Sequence, residues 1–400
     1  MSMLKTYFSQ VTEGLKKKLE QKVTARRKFI YEINRAGARM FDPNWSIAWT
    51  SFLAPFEILN AMNVSGNFIE FVAAMLAGAG LSRPYFERAE AAGYSMDGCS
   101  FHRAVLGEVM EGFLPKPDVL VGATCPCNAG IKTLQRIGEF YHKPTFIINL
   151  PYDNSPKSID YLVKQYKELI KYIKVQTGRD LDEDRLRAAI RLNNEGREYL
   201  VEALNLCKNV PSPASLNDWN NFVMFVLLAG TKEGVEVAKA YRDEFQAKVE
   251  QGIPGIPNEK HRLLWIQNRI QFKTDLLEQI QRTYGANVVI DELNCIYWEP
   301  MEERDPLRSL AIKQINHPLV GSIERRLKIL AMLAKEFKVD GAINPAHVGC
   351  RQSSGGRALF KEALQAVGVP LIHLDVDIVD ERNYADGQVL GRFEAFMEML

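Results

Sequence analysis

The stretch Gly341–Asp377, GAINPAHVGCRQSSGGRALFKEALQAVGVPLIHLDVD, carries a strand, a helix and a second strand in that order, with Cys350 at the first handover. Val339 to Pro345 reads as a short buried strand. Beyond Cys350, Ser353 and Ser354 are candidate caps for a helix in which Leu359, Phe360, Ala363, Leu364 and Val367 keep a helical spacing. Gly368 and Pro370 end that helix, and Leu371 to Val376 is the next strand. In an open parallel sheet, ligands collect beyond the carboxyl ends of the strands, where helix amino termini present free N–H groups to negative charge. A thiolate at Cys350 is stabilised there and well placed to ligate a metal.

The same alternation recurs upstream. SIAWTSF (46–52) reads as a strand and Pro55 to Met62 as a helix opening, with Pro55 in its first turn. Glu57 therefore falls in a first turn, where a carboxylate complements the helix dipole for less than about 1 kcal/mol. Helices follow around Phe68–Ala79 and Pro84–Ala92. In GYSMDGCSFHR (93–103), Cys99 precedes Ser100, which reads as the N-cap of a helix to about Met110. VLVGATCPCNAG (119–130) is a strand with Cys125 and Cys127 at its carboxyl end, followed by a helix from about Gly130 to Tyr141 and the strand TFIINL (145–150).

From Pro156 to about Val249 the pattern is long helices without strand signal, including DWNNFVMFVLLA (218–229). Cys207, among Leu204 and Leu206 on one of them, reads as core packing. GIPGIPNEK (252–260) marks a boundary. Alternation then returns with LLWIQ (263–267), a helix through Leu276 to Ile280, the strand NVVIDEL (287–293) leading to Cys295, and a helix from Ser322 to Phe337. The expected fold class is α/β, with two Rossmann-like parallel-sheet domains and an intervening helical region. The division is a helical segment at 1–45, a first Rossmann-like domain at 46–155, helices at 156–257 and a second Rossmann-like domain at 258–400.

Composition agrees with that size of structure and narrows the chemistry. At 400 residues, 46% hydrophobic and 25% charged, the chain suits about two or three globular domains. A net charge of +1 removes any global electrostatic case for nucleic acid or an anionic membrane. Lys16, Lys17, Lys18, Lys22, Arg26, Arg27 and Lys28 do crowd near the start. They form either a solvated face or a patch for an acidic partner or nucleotide phosphates. The longest apolar run, Phe222–Gly230, is far below the roughly 18 to 20 residues of a membrane span, and no secretory signal is recognisable, so a cytoplasmic location is expected. Six cysteines are too few for a disulfide scaffold, and some of them should be metal ligands or redox groups. The chain carries no Gly-rich dinucleotide fingerprint, no phosphate-binding loop and no His-Glu-x-x-His motif. CPC is not a ribbon-type zinc pair, because no second close pair answers it.

Together, PFEILNAM (55–62), GYSMDGCSFHR, GATCPCNAGIK (122–132), HVGCRQSSGG (347–356) and the ending LDVDIVDERNYADGQVLGRFEAFMEML (374–400) resemble the 2-hydroxyacyl-CoA dehydratase and benzoyl-CoA reductase family. The resemblance runs from about Ser46 to the carboxyl terminus. It implies a [4Fe-4S] iron–sulfur cluster between the two Rossmann-like domains, held by Cys99, Cys127 and Cys350. Cys127-Asn128 matches the family's Cys-Asp or Cys-Asn pair, while Cys125 is an extra cysteine that competes for the assignment. Cys295 stands where relatives often carry a cysteine, so a larger cluster with additional ligands stays open.

Three thiolates on such a cluster leave one iron free to act as a Lewis acid on a substrate oxygen. The activity implied is a lyase reaction, loss of water from an (R)-2-hydroxyacyl-CoA. Ordinary acid–base catalysis cannot drive it, because the β-proton is barely acidic and hydroxide must leave beside a carbonyl. One electron added to the thioester carbonyl gives a ketyl radical that expels hydroxide, and the electron is afterwards returned. The family's electron comes from a separate ATP-hydrolysing activator, in keeping with the missing nucleotide loop, and its enzymes pair two homologous subunits. Glu57, in the family's Pro-x-Glu stretch, is the implied proton-transfer residue. Arg351 and Arg357 are candidates for the CoA phosphates, unless nearby carboxylates pair with them. Two alternatives remain: a benzoyl-CoA reductase-type subunit, and a subunit that only relays electrons.

Overall fold

The architecture follows from two runs of parallel strands, seen in a computed structural model that describes residues 3–219 and 222–400, with backbone alone at 222–224. Ahead of them stand α1 (Met3–Gln21) and α2 (Ala25–Ala38), two helices where sequence suggested one. Thr24 makes the break: its hydroxyl accepts the Arg27 N–H at 3.2 Å and caps α2. Of the basic residues there, Lys17 pairs with Glu13 and Lys28 with Glu236.

The first sheet is laid down by β1 (Ser46–Thr50), α3 (Phe56–Ala61), β2 (Val64–Phe68), α4 (Ile69–Ala79), α5 (Arg83–Ala91), α6 (Ser100–Met110), β3 (Val119–Ala123), α7 (Asn128–Tyr141) and β4 (Phe146–Ile148). Its strands are all parallel in the order β2-β1-β3-β4. Pro55 is the N-cap residue of α3 and not part of its first turn. Sequence reading had no strand at β2, because VSGNF lacks the apolar run of a buried strand. Its centre must be small: a Cβ on Gly66 would lie 2.7 Å from Leu59 Cδ1 of α3, which crosses directly over it.

Three helices follow, α8 (Pro156–Thr177), α9 (Glu183–Leu206) and α10 (Lys232–Glu250), capped by Ser155, Asp182 and Thr231. The expected helix over 218–229 is instead a 3₁₀ segment at Phe222–Leu228, with Leu227, Leu228 and Ala229 buried. Asp218 cannot open a helix there, since its carboxylate accepts the Ser215 N–H at 2.8 Å and pairs with Lys248; Asn220 and Asn221 lie outside the described residues.

The second sheet repeats the first with β5 (His261–Trp265), α11 (Leu276–Tyr284), β6 (Ala286–Asp291), α12 (Pro306–Ile315), α13 (Ile323–Glu336), β7 (Gly341–His347), α14 (Arg351–Ser354), α15 (Arg357–Gln365), β8 (Leu371–Val376) and α16 (Asp386–Met397). The order is β6-β5-β7-β8, again all parallel. Side chains alternate across it as the pleat requires: Leu263, Trp265, Val288 and Ile343 pack toward Phe393 and Phe396 of α16, while Leu264, Val289 and Ala342 join the core continuous with the first sheet. In each sheet the order reverses between two central strands, β1/β3 and β5/β7. Crevices open at such switch points beyond the strands' carboxyl ends.

Candidate functional site

Each of the three cysteines singled out by sequence caps a helix: Cys99 for α6, Cys127 for α7 and Cys350 for α14. The serines read as caps have other work. Ser100 turns its hydroxyl to the Asp377 carboxylate across the two halves of the molecule, and Ser353 and Ser354 lie inside α14, donating back to the Cys350 carbonyl at 3.2 and 2.5 Å. Backbone N–H groups of Phe101 and His102 face the Cys99 sulfur, and those of Ala129 and Gly130 face Cys127.

Contacts between the sheets bring these segments together. Gly349, at φ +69°, lies so close to the turn before α6 that a Cβ there would be 2.5 Å from the Cys99 nitrogen. Gln352 Nε2 donates to the Pro126 carbonyl at 2.6 Å. Behind it, Arg326 forms a buried ion pair with Glu292 and donates to the Gln352 carbonyl at 2.6 Å. The LDVDIVDER segment supplies the other clasp: Arg103 of α6 pairs with Asp380, and Arg382 bridges Asp380 and Glu90 at 2.7 and 2.5 Å.

Cys99, Cys127 and Cys350 line one cavity between the sheets, about 750 Å³ with its mouth included. All six cysteines are free thiols. Burial, and then the charges that Cys350 and Cys127 would carry, hold the Cys99 thiol well above its ordinary value; burial pushes Cys127 up to about 11. Thiols facing one another in a dry cavity become thiolates only beside compensating positive charge, which bound metal supplies. Among the described residues no three His, Cys, Asp or Glu side chains gather tightly enough for a single ion. Three thiols around a shared cavity fit a polynuclear iron–sulfur group, which spans more space and takes thiolate ligands.

The remaining candidates separate from this set. Cys125 is buried beside Gly321, whose N–H faces its sulfur, and is not among the residues lining the cysteine cavity. Cys295 lines a neighbouring chamber, and Cys207 is fully buried at the end of α9. Glu57 is buried in a third cavity, where its Oε1 accepts from Lys313 Nζ at 2.8 Å and Asn193 Nδ2 at 2.9 Å. Burial would raise its pKa, but the Lys313 charge and these hydrogen bonds outweigh it and hold the carboxyl below the ordinary value. Arg357 pairs with Asp375 at 2.6 Å, Arg351 is exposed, and neither lines the cysteine cavity.

The carboxylate that does line the cysteine cavity is Glu70, in the first turn of α4. Its Oε2 is buried with no hydrogen-bond partner among the described residues, and burial pushes its pKa up to about 7. His102 lies beside it, with Nε2 3.8 Å from the Cys127 sulfur and burial holding the ring neutral, its pKa down at about 4. In sequence, His102 stands out only as part of GYSMDGCSFHR, and nothing local marks Glu70. With no strand legible at β2, the start of α4 does not read as a strand-to-helix junction, the signal that marks Glu57.

Residues 52–400 match the model of the family described as 2-hydroxyglutaryl-CoA dehydratase, D-component. The chain is 25% identical to the (R)-phenyllactyl-CoA dehydratase alpha subunit of Clostridium sporogenes, over 88% of this chain and 89% of that protein. It is 26% identical to a subunit of benzoyl-CoA reductase from Thauera aromatica, over 78% of each. With the (R)-2-hydroxyisocaproyl-CoA dehydratase alpha subunit of Clostridioides difficile it shares 22% identity over 88% of this chain and 90% of the other.

Proposed function

The chain belongs to the 2-hydroxyglutaryl-CoA dehydratase D-component family, and on that premise we propose that it is the iron–sulfur subunit of a radical (R)-2-hydroxyacyl-CoA dehydratase. The observation that carries the proposal is the convergence of Cys99, Cys127 and Cys350 on one cavity between two parallel sheets. These three thiolates would hold a [4Fe-4S] cluster, and backbone N–H groups of α6 and α7 would offset their charge. The cluster would supply the one-electron reduction of the thioester carbonyl together with a Lewis-acidic iron. Partners in keeping with the family are a homologous second subunit and an ATP-dependent activator protein.

Proton transfer we assign to Glu70, for its partnerless oxygen in the cysteine cavity. A carboxyl that gives its proton to the departing hydroxyl oxygen and takes one from the β-carbon ends the turnover as it began, so a single residue balances the loss of water. Glu57, whose Oε1 is held by Lys313 and Asn193 in a neighbouring cavity, is the alternative for that role.

A benzoyl-CoA reductase-type subunit is the second reading, favoured by the extended similarity to the Thauera aromatica reductase chain. Anaerobic purification with iron and sulfide analysis, followed by assays on 2-hydroxyacyl-CoA and benzoyl-CoA with activator and ATP, tests both. Release of water from the hydroxyacyl thioester is the expected result. Reduction of benzoyl-CoA without dehydration would select the second reading.

A further inference from the structure

A second chamber, about 740 Å³ with its mouth included, adjoins the cysteine cavity, and Phe52 and Leu293 line both. Its walls include Phe225, Tyr297 and Trp298 with aliphatic side chains such as Leu200 and Val226, and the polar side chains of Asn193 and Thr231. Among the described residues two cations, Lys313 and Arg197, and one histidine, His317, also line it. Each is already committed. Lys313 is paired with Glu57 at 2.8 Å and lies 4.9 Å over the Trp298 ring. Arg197 pairs with Glu299 at 2.9 Å and donates to the Trp298 carbonyl at 2.5 Å. His317 accepts the Leu319 N–H at 3.1 Å on Nδ1, its ring packs on Phe52 and Tyr297, and burial with nearby cations holds it neutral.

We propose that this chamber seats the acyl side chain of the substrate, and that the substrate is therefore an aryl-substituted 2-hydroxyacyl thioester and not one ending in a carboxylate; this rests on the acyl-CoA reading above. A carboxylate pushed among these walls would lose its water and, among the described residues, would find Lys313 already held by Glu57 and Arg197 by the Trp298 carbonyl and the exposed Glu299, a cost that apolar contact cannot offset. An aromatic ring would find edge and face partners in Phe52, Tyr297 and Trp298. Phe52 sits where the thioester end, in the cysteine cavity, would continue into the side chain.

Gly196 provides the probe. It lines the chamber from α9, and a Cβ there would meet nothing nearer than Val235 Cα at 3.8 Å, so Gly196→Ala fits and Gly196→Leu adds further bulk to the wall. Binding of (R)-2-hydroxy-3-phenylpropanoyl-CoA and (R)-2-hydroxyglutaryl-CoA to the anaerobic holoenzyme is measured by calorimetry, for wild type, Gly196→Leu and the milder Gly196→Ala. The phenyl thioester is expected to bind at least about tenfold tighter to wild type, the scale on which an apolar pocket discriminates, with that advantage lost in Gly196→Leu at unchanged iron content. Equal or tighter binding of the glutaryl thioester, or a phenyl preference indifferent to Gly196→Leu, overturns this inference and leaves the dehydratase reading standing. Binding of neither thioester overturns both.

Discussion

The side-chain amide of Gln352 donates to the carbonyl of Pro126 at 2.6 Å, fastening the residue two past Cys350 to the residue just before Cys127. The bond crosses from the second sheet's switch point to the first's, so it fixes the distance between two of the proposed ligands. Gln352→Ala removes the donor and leaves a carbonyl facing the gap, a loss of about 1–3 kcal/mol. The variant is expected to load iron normally but release it faster to a chelator under anaerobic conditions. An unchanged release rate would mean that the loops hold their places without this tie.

Arg326 and Glu292 stand behind Gln352 as a buried ion pair. Removing one partner strands the other charge, at a cost of about 3–5 kcal/mol. Arg326→Met should lower the unfolding free energy from urea titration by that margin, and Glu292→Leu added to it should restore much of the loss. A single variant as stable as wild type contradicts the arrangement.

Glu57 gives a pH signature. Its folded-state pKa is depressed below 4.5, so the stability it contributes is fully present above its unfolded value and is lost as pH falls through the folded one. Denaturant midpoints measured from pH 7 down to pH 3.5 should therefore fall less steeply below about pH 4.5 in Glu57→Gln than in wild type. Parallel acid limbs for the two proteins would remove Glu57 from the causes of acid lability.

For Glu70 the expected outcome concerns turnover. Glu70→Gln keeps the shape but cannot exchange a proton, so iron content and reduction by the activator should be normal while dehydration slows by about a hundredfold or more. Glu57→Gln, by contrast, should fall much less. The reverse order would return the proton-transfer role to Glu57.

The strands that were legible in sequence are those with apolar runs, such as VLVGA of β3 and the strand around Ile343, because burial on both faces of a parallel sheet demands such runs. β2 was not, since its glycine answers to a helix crossing above it and its Asn67 is buried by tertiary contacts that no local pattern announces. The three cysteines were visible as strand-to-helix junctions, whereas their partners were hidden. Asp377 and Gln352 act across the two sheets while Arg326 braces Gln352 from behind, and a sequence does not display which side chains a fold will bring face to face. Glu57 and Glu70 make the same point, since both open helices after strands of the first sheet and only one borders the cysteines.

The central claim is that Cys99, Cys127 and Cys350 hold one cluster, and iron and sulfide per chain in anaerobically purified serine variants test it most directly. Cys99→Ser, Cys127→Ser and Cys350→Ser should each lose most of their iron, while Cys125→Ser and Cys207→Ser retain it. Full iron and sulfide in Cys350→Ser would contradict the account.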